Sequence, residues 1–71
     1  MKVSYHASER FLQRVFKFKE YTQKQVLSAM RLIEKDISDI EYHGSRFVLP
    51  SFPNYRCVVE GDTLVTIIPK R

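Results

Sequence analysis

The apolar residues of this chain are spaced as in helices up to Ile40 and as in strands after it. A first helix is predicted to begin after Ser4, whose side chain can cap it, and to end at Val15 or Phe16. The next residues, Phe16 to Glu20, alternate aromatic with basic side chains and break the helical spacing. We therefore interpret them as the connection to a second helix.

The second helix has the clearest local signal in the chain. Thr22 and Gln25 form a capping box, in which each side chain satisfies a main-chain N–H group of the other residue. The apolar stripe that follows repeats at steps of three and four residues, through Val26, Met30, Ile33 and Ile37. The helix is predicted to end between Asp36 and Ser38, since acidic side chains are unfavourable at a helix C-terminus.

Three strands are predicted in the second half of the chain. The first is Arg46–Leu49, which Pro50 ends, and residues 51–54 have the composition of a turn. Residues 55–60 and 63–68 are β-rich and are separated by Gly61-Asp62, a pair that favours a type II′ hairpin. A short stretch at residues 2–5 is either a small edge strand or an extended lead-in.

The hairpin predicts which side chains share a face of the sheet. Pairing Glu60 with Thr63 places two sets of residues opposite each other on the face that packs against the helices: Val59, Cys57 and Tyr55 on one strand, and Leu64, Thr66 and Ile68 on the other. The other face then exposes Val58, Val65 and Ile67, which favours a homodimer or a protein partner at that face. The predicted fold is α+β, with two N-terminal helices packed on a small antiparallel sheet of three to four strands in the order (β)ααβββ.

Length and composition restrict the class of protein. Seventy-one residues allow a single domain, 1–71, with one modest core. Cys57 is the single cysteine, so an internal disulfide and a cysteine-based zinc site are excluded. No segment approaches the roughly 20 apolar residues of a membrane span, and the first residues do not resemble a signal peptide. A cytoplasmic protein without membrane contact is expected.

The formal charge of +4 is unevenly distributed. Residues 1–33 carry seven Lys or Arg against Glu9 and Glu20, a net charge of +5. Residues 34–43 carry four acids against Lys35, a net charge of −3. A basic first half suits a polyanion or an acidic protein partner, and an ordinary solvated surface is the alternative.

The first helix aligns His6, Arg10 and Arg14 at positions i, i+4 and i+8. Such a ridge could hold a phosphodiester with its arginines while the histidine accepts a proton. Further polar candidates come from the strands and are Thr66, Tyr55, Arg56 and Arg46. Metal-free RNA cleavage needs parts of this kind: a base for the 2′-hydroxyl, a cation for the developing charge and an acid for the leaving oxygen.

Each of these residues also has a purely structural interpretation. His6 could be a cap or a surface group, and Arg10 and Arg14 could pair with Glu9, Gln13 or the acidic end of the second helix. Thr66 could bond a main-chain carbonyl, and Cys57 reads as a small buried residue. His43 beside Glu41 is weak evidence for a metal site. Neither a metal nor a cofactor is expected.

Three motifs of this chain resemble those of a known family. The pattern His6-Ala7-x-x-Arg10-Phe-x-x-Arg14, a second amphipathic helix and the hairpin from Tyr55 to Ile68 are similar to a small bacterial and phage domain of unknown function. That family is thought to be related to the RelE-like and colicin-like ribonuclease fold, so the resemblance implies an RNA-cleaving toxin. Carried over, His6, Arg10, Arg14 and Thr66 match its polar positions. The usual glycine after the second arginine is Val15 here.

Two hypotheses follow. The first is a RelE-like toxin-type protein that binds or cleaves RNA as a metal-independent endoribonuclease, or as a degenerate relative without catalysis. The second is a non-catalytic module, encoded by a phage or mobile element, that binds a host protein. An antitoxin or a host factor is the protein partner that these hypotheses imply. A DNA-binding module is less favoured because the chain lacks a helix-turn-helix pattern.

Overall fold

The structure is a computed structural model that describes residues 1–38 and 46–70. Its elements follow one another as β1 (Lys2–Val3), α1 (Tyr5–Arg14), α2 (Gln23–Ile37), β2 (Arg46–Leu49), β3 (Phe52–Glu60) and β4 (Thr63–Pro69). The four strands form one sheet in the order β1-β4-β3-β2, against which the helices pack. The predicted α+β fold is confirmed. Within the described part of the chain, neither helix is long and apolar enough to cross a membrane.

Some sequence signals lie outside the described residues. They are His43 and Glu41, the pair that is weak evidence for a metal site, and the part of the acidic segment after Ser38.

Both helices begin where their capping residues predict. The Ser4 hydroxyl accepts a hydrogen bond from the Ala7 N–H group at 3.0 Å. Thr22 and Gln25 make both bonds of the capping box, at 3.2 and 2.8 Å. These bonds are local in sequence and satisfy N–H groups that have no partner inside the helix, so the sequence alone locates both helix starts.

The connection after α1 folds back on the helix that precedes it. Lys17 has a φ of 62°, the left-handed conformation that favours glycine or asparagine. The following N–H group, of Phe18, donates to the Leu12 carbonyl at 3.0 Å. Val15 itself has right-handed helical torsions. A glycine at position 15 would suggest that the chain reverses there. In this chain the left-handed residue that reverses it is Lys17, two residues later.

The sheet is mixed, because β1 runs parallel to β4 with Val3 opposite Leu64. The prediction of an antiparallel sheet holds for β2, β3 and β4 only. At the hairpin, Gly61 has a φ of 60° and Asp62 is not in the left-handed region, the combination that a type II′ turn requires.

A β-bulge in the hairpin overturns the predicted register beyond Val59. Glu60 and Val59 pair as predicted with Thr63 and Leu64, but the register shifts between Val58 and Val59. As a result Cys57 lies opposite Ile67 instead of Thr66. One extra residue reverses the faces of everything after it, because strand side chains alternate.

This shift corrects three face assignments. Ile67 was predicted on the outer face and is fully buried in the core. Thr66 and Ile68 were predicted against the helices and lie instead on the outer face, the face away from the helices. The outer face consists of Arg46, Val48, Arg56, Val58, Thr66 and Ile68. Three of these six residues are apolar, the same number as predicted, although only Val58 is common to both sets. A homodimer through this face stays a prediction.

The predicted turn at residues 51–54 is wrong as well. The turn is formed by Pro50 and Ser51, and β3 already begins at Phe52. The pairing with β2 is irregular here, since Leu49 lies opposite Phe52 while Val48 lies opposite Arg56. Proline has no N–H group to donate to the ladder, and it is tolerated in such an irregular stretch because the residue there does not need to donate one. Position 53 is therefore compatible with a strand.

The core lies between the helices and the inner face of the sheet. Its buried apolar side chains are Val3, Ala7, Phe11, Leu12, Val26, Ala29, Ile33, Ile37, Leu49, Cys57, Val59, Leu64 and Ile67. Burial, with a smaller contribution from the Asp36 carboxylate, raises the pKa of the Cys57 thiol to about 12. A thiol in this state is a packing residue, as the sequence suggested, and a poor nucleophile.

Candidate functional site

A groove lined by several cationic side chains lies where the end of α1 meets the sheet. Its volume is about 640 Å³. The residues that line it are Gln13, Arg14, Lys17, Arg46, Arg56, Ile68 and Pro69, which we call the basic groove. Four cations therefore share one concave surface, and among residues 1–38 and 46–70 no acid lines it. Three of the four, all but Lys17, are site residues that the sequence predicted.

Arg14 is held in the basic groove by the edge of the sheet. β1 pairs with Thr63 and Leu64, so the later part of β4 has no neighbouring strand on that side among the described residues. The guanidinium of Arg14 donates to the free Ile67 carbonyl there at 2.6 Å. The side chain thus takes the place of a strand donor, and its position is fixed by a contact distant in sequence.

The C-terminus of α1 is also covered where it approaches the basic groove. The Tyr55 hydroxyl donates to the Arg14 carbonyl at 2.8 Å. Val15 and Phe18 donate N–H groups to the carbonyls of Phe11 and Leu12. Bare carbonyls at a helix C-terminus carry partial negative charge and repel an anion. These three bonds reduce that repulsion, so an anion can approach this helix end.

The remaining cations come from the outer face and from the connection between the helices. Arg46 lies opposite Val58, two residues from Arg56 on the same face of the sheet. Within residues 1–38 and 46–70, the side chains of Arg46, Arg56 and Lys17 have neither a hydrogen bond nor an ion pair. Like charges gathered in this way repel one another, and a bound anion would relieve the repulsion.

The predicted ridge of His6, Arg10 and Arg14 enters the basic groove only at its last residue. His6 is 60% exposed, with its Nδ1 atom 3.7 Å from a Glu9 carboxylate oxygen. It lies eight residues before Arg14 on the same helix, or about 12 Å at 1.5 Å per residue. Arg10 donates to the Gln13 side chain at 2.8 Å, the pairing that the structural interpretation anticipated.

A hydrogen-bonded network occupies the middle of the ridge. The Tyr21 hydroxyl donates to the Glu9 carboxylate at 2.9 Å and accepts from the Gln13 amide at 2.7 Å. The bond to Glu9, which favours the protonated hydroxyl, raises the pKa of Tyr21 above its ordinary value. This network joins α1 to the residue before the α2 cap, so its role is structural.

Two of the strand candidates have different places relative to the basic groove. Tyr55 contacts it through its bond to the Arg14 carbonyl. Thr66 lies on the outer face opposite Val58 and does not line the groove. Sequence reasoning missed Gln13 and Lys17 as lining residues. The basic side chains among the aromatics of residues 16–20 were the available signal for Lys17.

Fold and groove together define a two-layer α+β protein with a concave cationic surface. Compared with family models, with curated proteins and with solved structures, the chain has no match.

Proposed function

We propose that this chain is a small RelE-like, toxin-type protein of the cytoplasm that binds RNA through the basic groove. The observation that carries the proposal is the convergence of Arg14, Lys17, Arg46 and Arg56 on one groove, where no described lining residue is acidic. Phosphate contacts from Arg and Lys supply most of the affinity of nucleic-acid binding. The resemblance of the sequence motifs to the ribonuclease-related domain supports the choice of RNA.

The shape of the basic groove favours a single strand over a duplex. Proteins that read RNA mostly contact single strands, because the major groove of duplex RNA is too deep and narrow for side chains to read. In the basic groove, Ile68 and Pro69 add apolar surface beside the cations. A flexible strand can place its phosphates on the arginines and a sugar or base on that surface.

Cleavage is a separate part of the proposal. Without a metal it needs a proton acceptor near the 2′-hydroxyl, and His6 is the candidate that the sequence provides. An RNA held in the basic groove reaches His6 only if it continues along α1 past Arg10. We therefore propose that binding depends on the groove and that cleavage, where it occurs, depends on His6.

Fluorescence anisotropy of a labelled single-stranded RNA at several salt concentrations tests the binding claim. Arg56→Met should weaken binding and lower the slope of log affinity against log salt by about 0.7. Arg31→Met is the matched control, because Arg31 is exposed on α2 and does not line the basic groove. An equal loss of RNA affinity in both variants would show that binding depends only on total charge. It would contradict binding in the basic groove.

Incubation with RNA in EDTA tests the cleavage claim. His6→Ala should leave RNA affinity within about twofold, because His6 lies outside the basic groove, and should abolish cleavage. If no cleavage is seen with the unmodified chain, the protein is an RNA binder without this activity. If cleavage persists unchanged in His6→Ala, the assignment of His6 as the base is wrong.

A further inference from the structure

A second groove, of different chemistry, lies between α2 and the connection that follows α1. Its lining is almost entirely apolar and its volume is about 200 Å³. We call it the apolar groove, and the residues that line it are Leu12, Phe16, Phe18, Gln25, Ser28, Ala29 and Leu32. Three of these large side chains are substantially exposed: Phe16 at 42%, Phe18 at 38% and Leu32 at 40%. These three exposed side chains belong neither to the buried core nor to the lining of the basic groove.

The aromatic wall of the apolar groove is fixed by ring contacts. Phe16 packs edge-on against the buried Phe11, with ring centroids 5.1 Å apart. Phe18 follows at 5.8 Å from Phe16. Exposed phenylalanines anchored in this way form a preformed surface, and a preformed surface loses little conformational entropy when a partner binds.

Cations border the apolar groove on the solvent side of α2. Lys24, Arg31 and Lys35 share one helical stripe with Ser28, from which they lie four residues before, three after and seven after. On the other wall, Lys17 and Lys19 alternate with the phenylalanines. Residues 16–35 carry five Lys or Arg against Glu20 and Glu34, a net charge of +3.

The acids near this surface leave that charge uncompensated. Within the described residues, the five cations have no ion pair. Asp36, at the far end of α2, accepts hydrogen bonds from the main chain and the hydroxyl of Ser51. Glu34 lies on the far side of the cationic stripe, about 160° around the helix from Leu32 at 100° per residue. An occupant of the apolar groove therefore meets an apolar floor with basic borders.

The lining also restricts the occupant's backbone. The walls are side chains of one helix and one connection, so the apolar groove offers no strand edge for pairing. A segment that lies there must satisfy its own N–H and carbonyl groups, as a helix does. The α2 wall from Gln25 to Leu32 spans about two helical turns. We infer that the apolar groove docks an acidic amphipathic helix of a protein partner, with its apolar stripe on Phe16, Phe18 and Leu32.

A designed peptide provides the probe. It is a helical peptide of about 16 residues with leucines at i, i+3, i+4 and i+7 and glutamates on both flanks, and its scramble has the same composition. Titration calorimetry should show binding of the helical peptide and none of the scramble. Leu32→Ser should weaken binding by about tenfold or more, since it removes a buried leucine contact.

Leu27→Ser is the matched control, because Leu27 is 39% exposed on the same helix but does not line the apolar groove. It should leave the affinity unchanged. Arg31→Glu should weaken binding of the acidic peptide. It should strengthen binding of a variant peptide that has lysines on the flank next to residue 31. Unchanged RNA binding by Leu32→Ser would show that the variant is folded and that the two grooves act separately.

Three results would overturn the inference. One is equal binding of the scramble, and another is an equal loss in Leu27→Ser and Leu32→Ser. The third is a homodimer, seen by sedimentation equilibrium, that Leu32→Ser dissociates, since the occupant would then be a second copy of this chain. None of these results depends on whether the basic groove binds RNA.

Discussion

The hydroxyl of Tyr55, on β3, donates a hydrogen bond to the main-chain carbonyl of Arg14, the last residue of α1, at 2.8 Å. The two residues are 41 positions apart in sequence. The bond joins the helix to the sheet where Arg14 itself reaches across to the Ile67 carbonyl. It also removes a bare acceptor from the helix end that approaches the basic groove. Tyr55 therefore helps to position Arg14 in the basic groove, although Tyr55 itself carries no charge.

Tyr55→Phe tests this relationship. The variant keeps the ring and loses the hydroxyl, so the free energy of unfolding should fall by about 1 kcal/mol. RNA affinity should fall by about two- to fivefold, because the uncovered carbonyl faces the bound phosphate. Urea unfolding and RNA anisotropy measure the two effects. Lower stability with unchanged affinity would assign Tyr55 a structural role only.

At position 17 the effect of backbone conformation can be measured separately from the effect of charge. The left-handed φ of 62° at Lys17 suits asparagine, so Lys17→Asn should leave the free energy of unfolding unchanged or raise it by up to about 1 kcal/mol. RNA binding should nevertheless weaken, because one lining cation is lost. Lys19→Asn removes the same charge two residues away, outside the basic groove, and should have a smaller effect. Anisotropy and urea unfolding of both variants check the prediction, and an equal loss of affinity would contradict a specific contact by Lys17.

Because of the bulge, substitutions at two adjacent isoleucines are expected to lower the free energy of unfolding by different amounts. Ile67 is fully buried and Ile68 is half-buried on the outer face. Ile67→Val should lower the free energy of unfolding by about 1 kcal/mol, as expected for a methyl group removed from a core. Ile68→Val should cost less than about 0.5 kcal/mol. Urea denaturation of the pair decides between the observed register and the regular hairpin, for which the order of the two costs would be reversed.

The buried thiol makes stability depend on alkaline pH. Cys57 has a pKa of about 12 in the folded chain, against about 8.5 in an unfolded one. Between these values the unfolded state binds fewer protons than the folded state, so the free energy of unfolding should fall as pH rises above about 8.5. Cys57→Ala should be less stable at neutral pH and should show a shallower decline between about pH 8.5 and 10. Parallel slopes for the two chains would contradict the shifted pKa.

Local chemistry accounts for the parts of the fold that the sequence determined by itself. The bonds of Ser4 and of the Thr22–Gln25 capping box join residues three positions apart, so they can be recognised without knowing the rest of the molecule. The change of apolar spacing separates the helical half from the strand half, and Gly61 supplies the positive φ of the hairpin. Element type and order follow from these signals.

Only the tertiary structure decided the register and the site. The register shift between Val58 and Val59 has no signal in the residue types at these positions, so the pattern of the strands predicted a regular hairpin. Arg14 could be recognised as a candidate from its place on the first helix, but its meeting with Arg56 depends on the β4 edge that β1 leaves open. His6 shares the helix and the charge pattern with Arg14, yet it lies outside the groove. The spacing of residues along a helix determines which side chains lie on the same side of it. The packing of distant elements against that helix determines which of those side chains form a site.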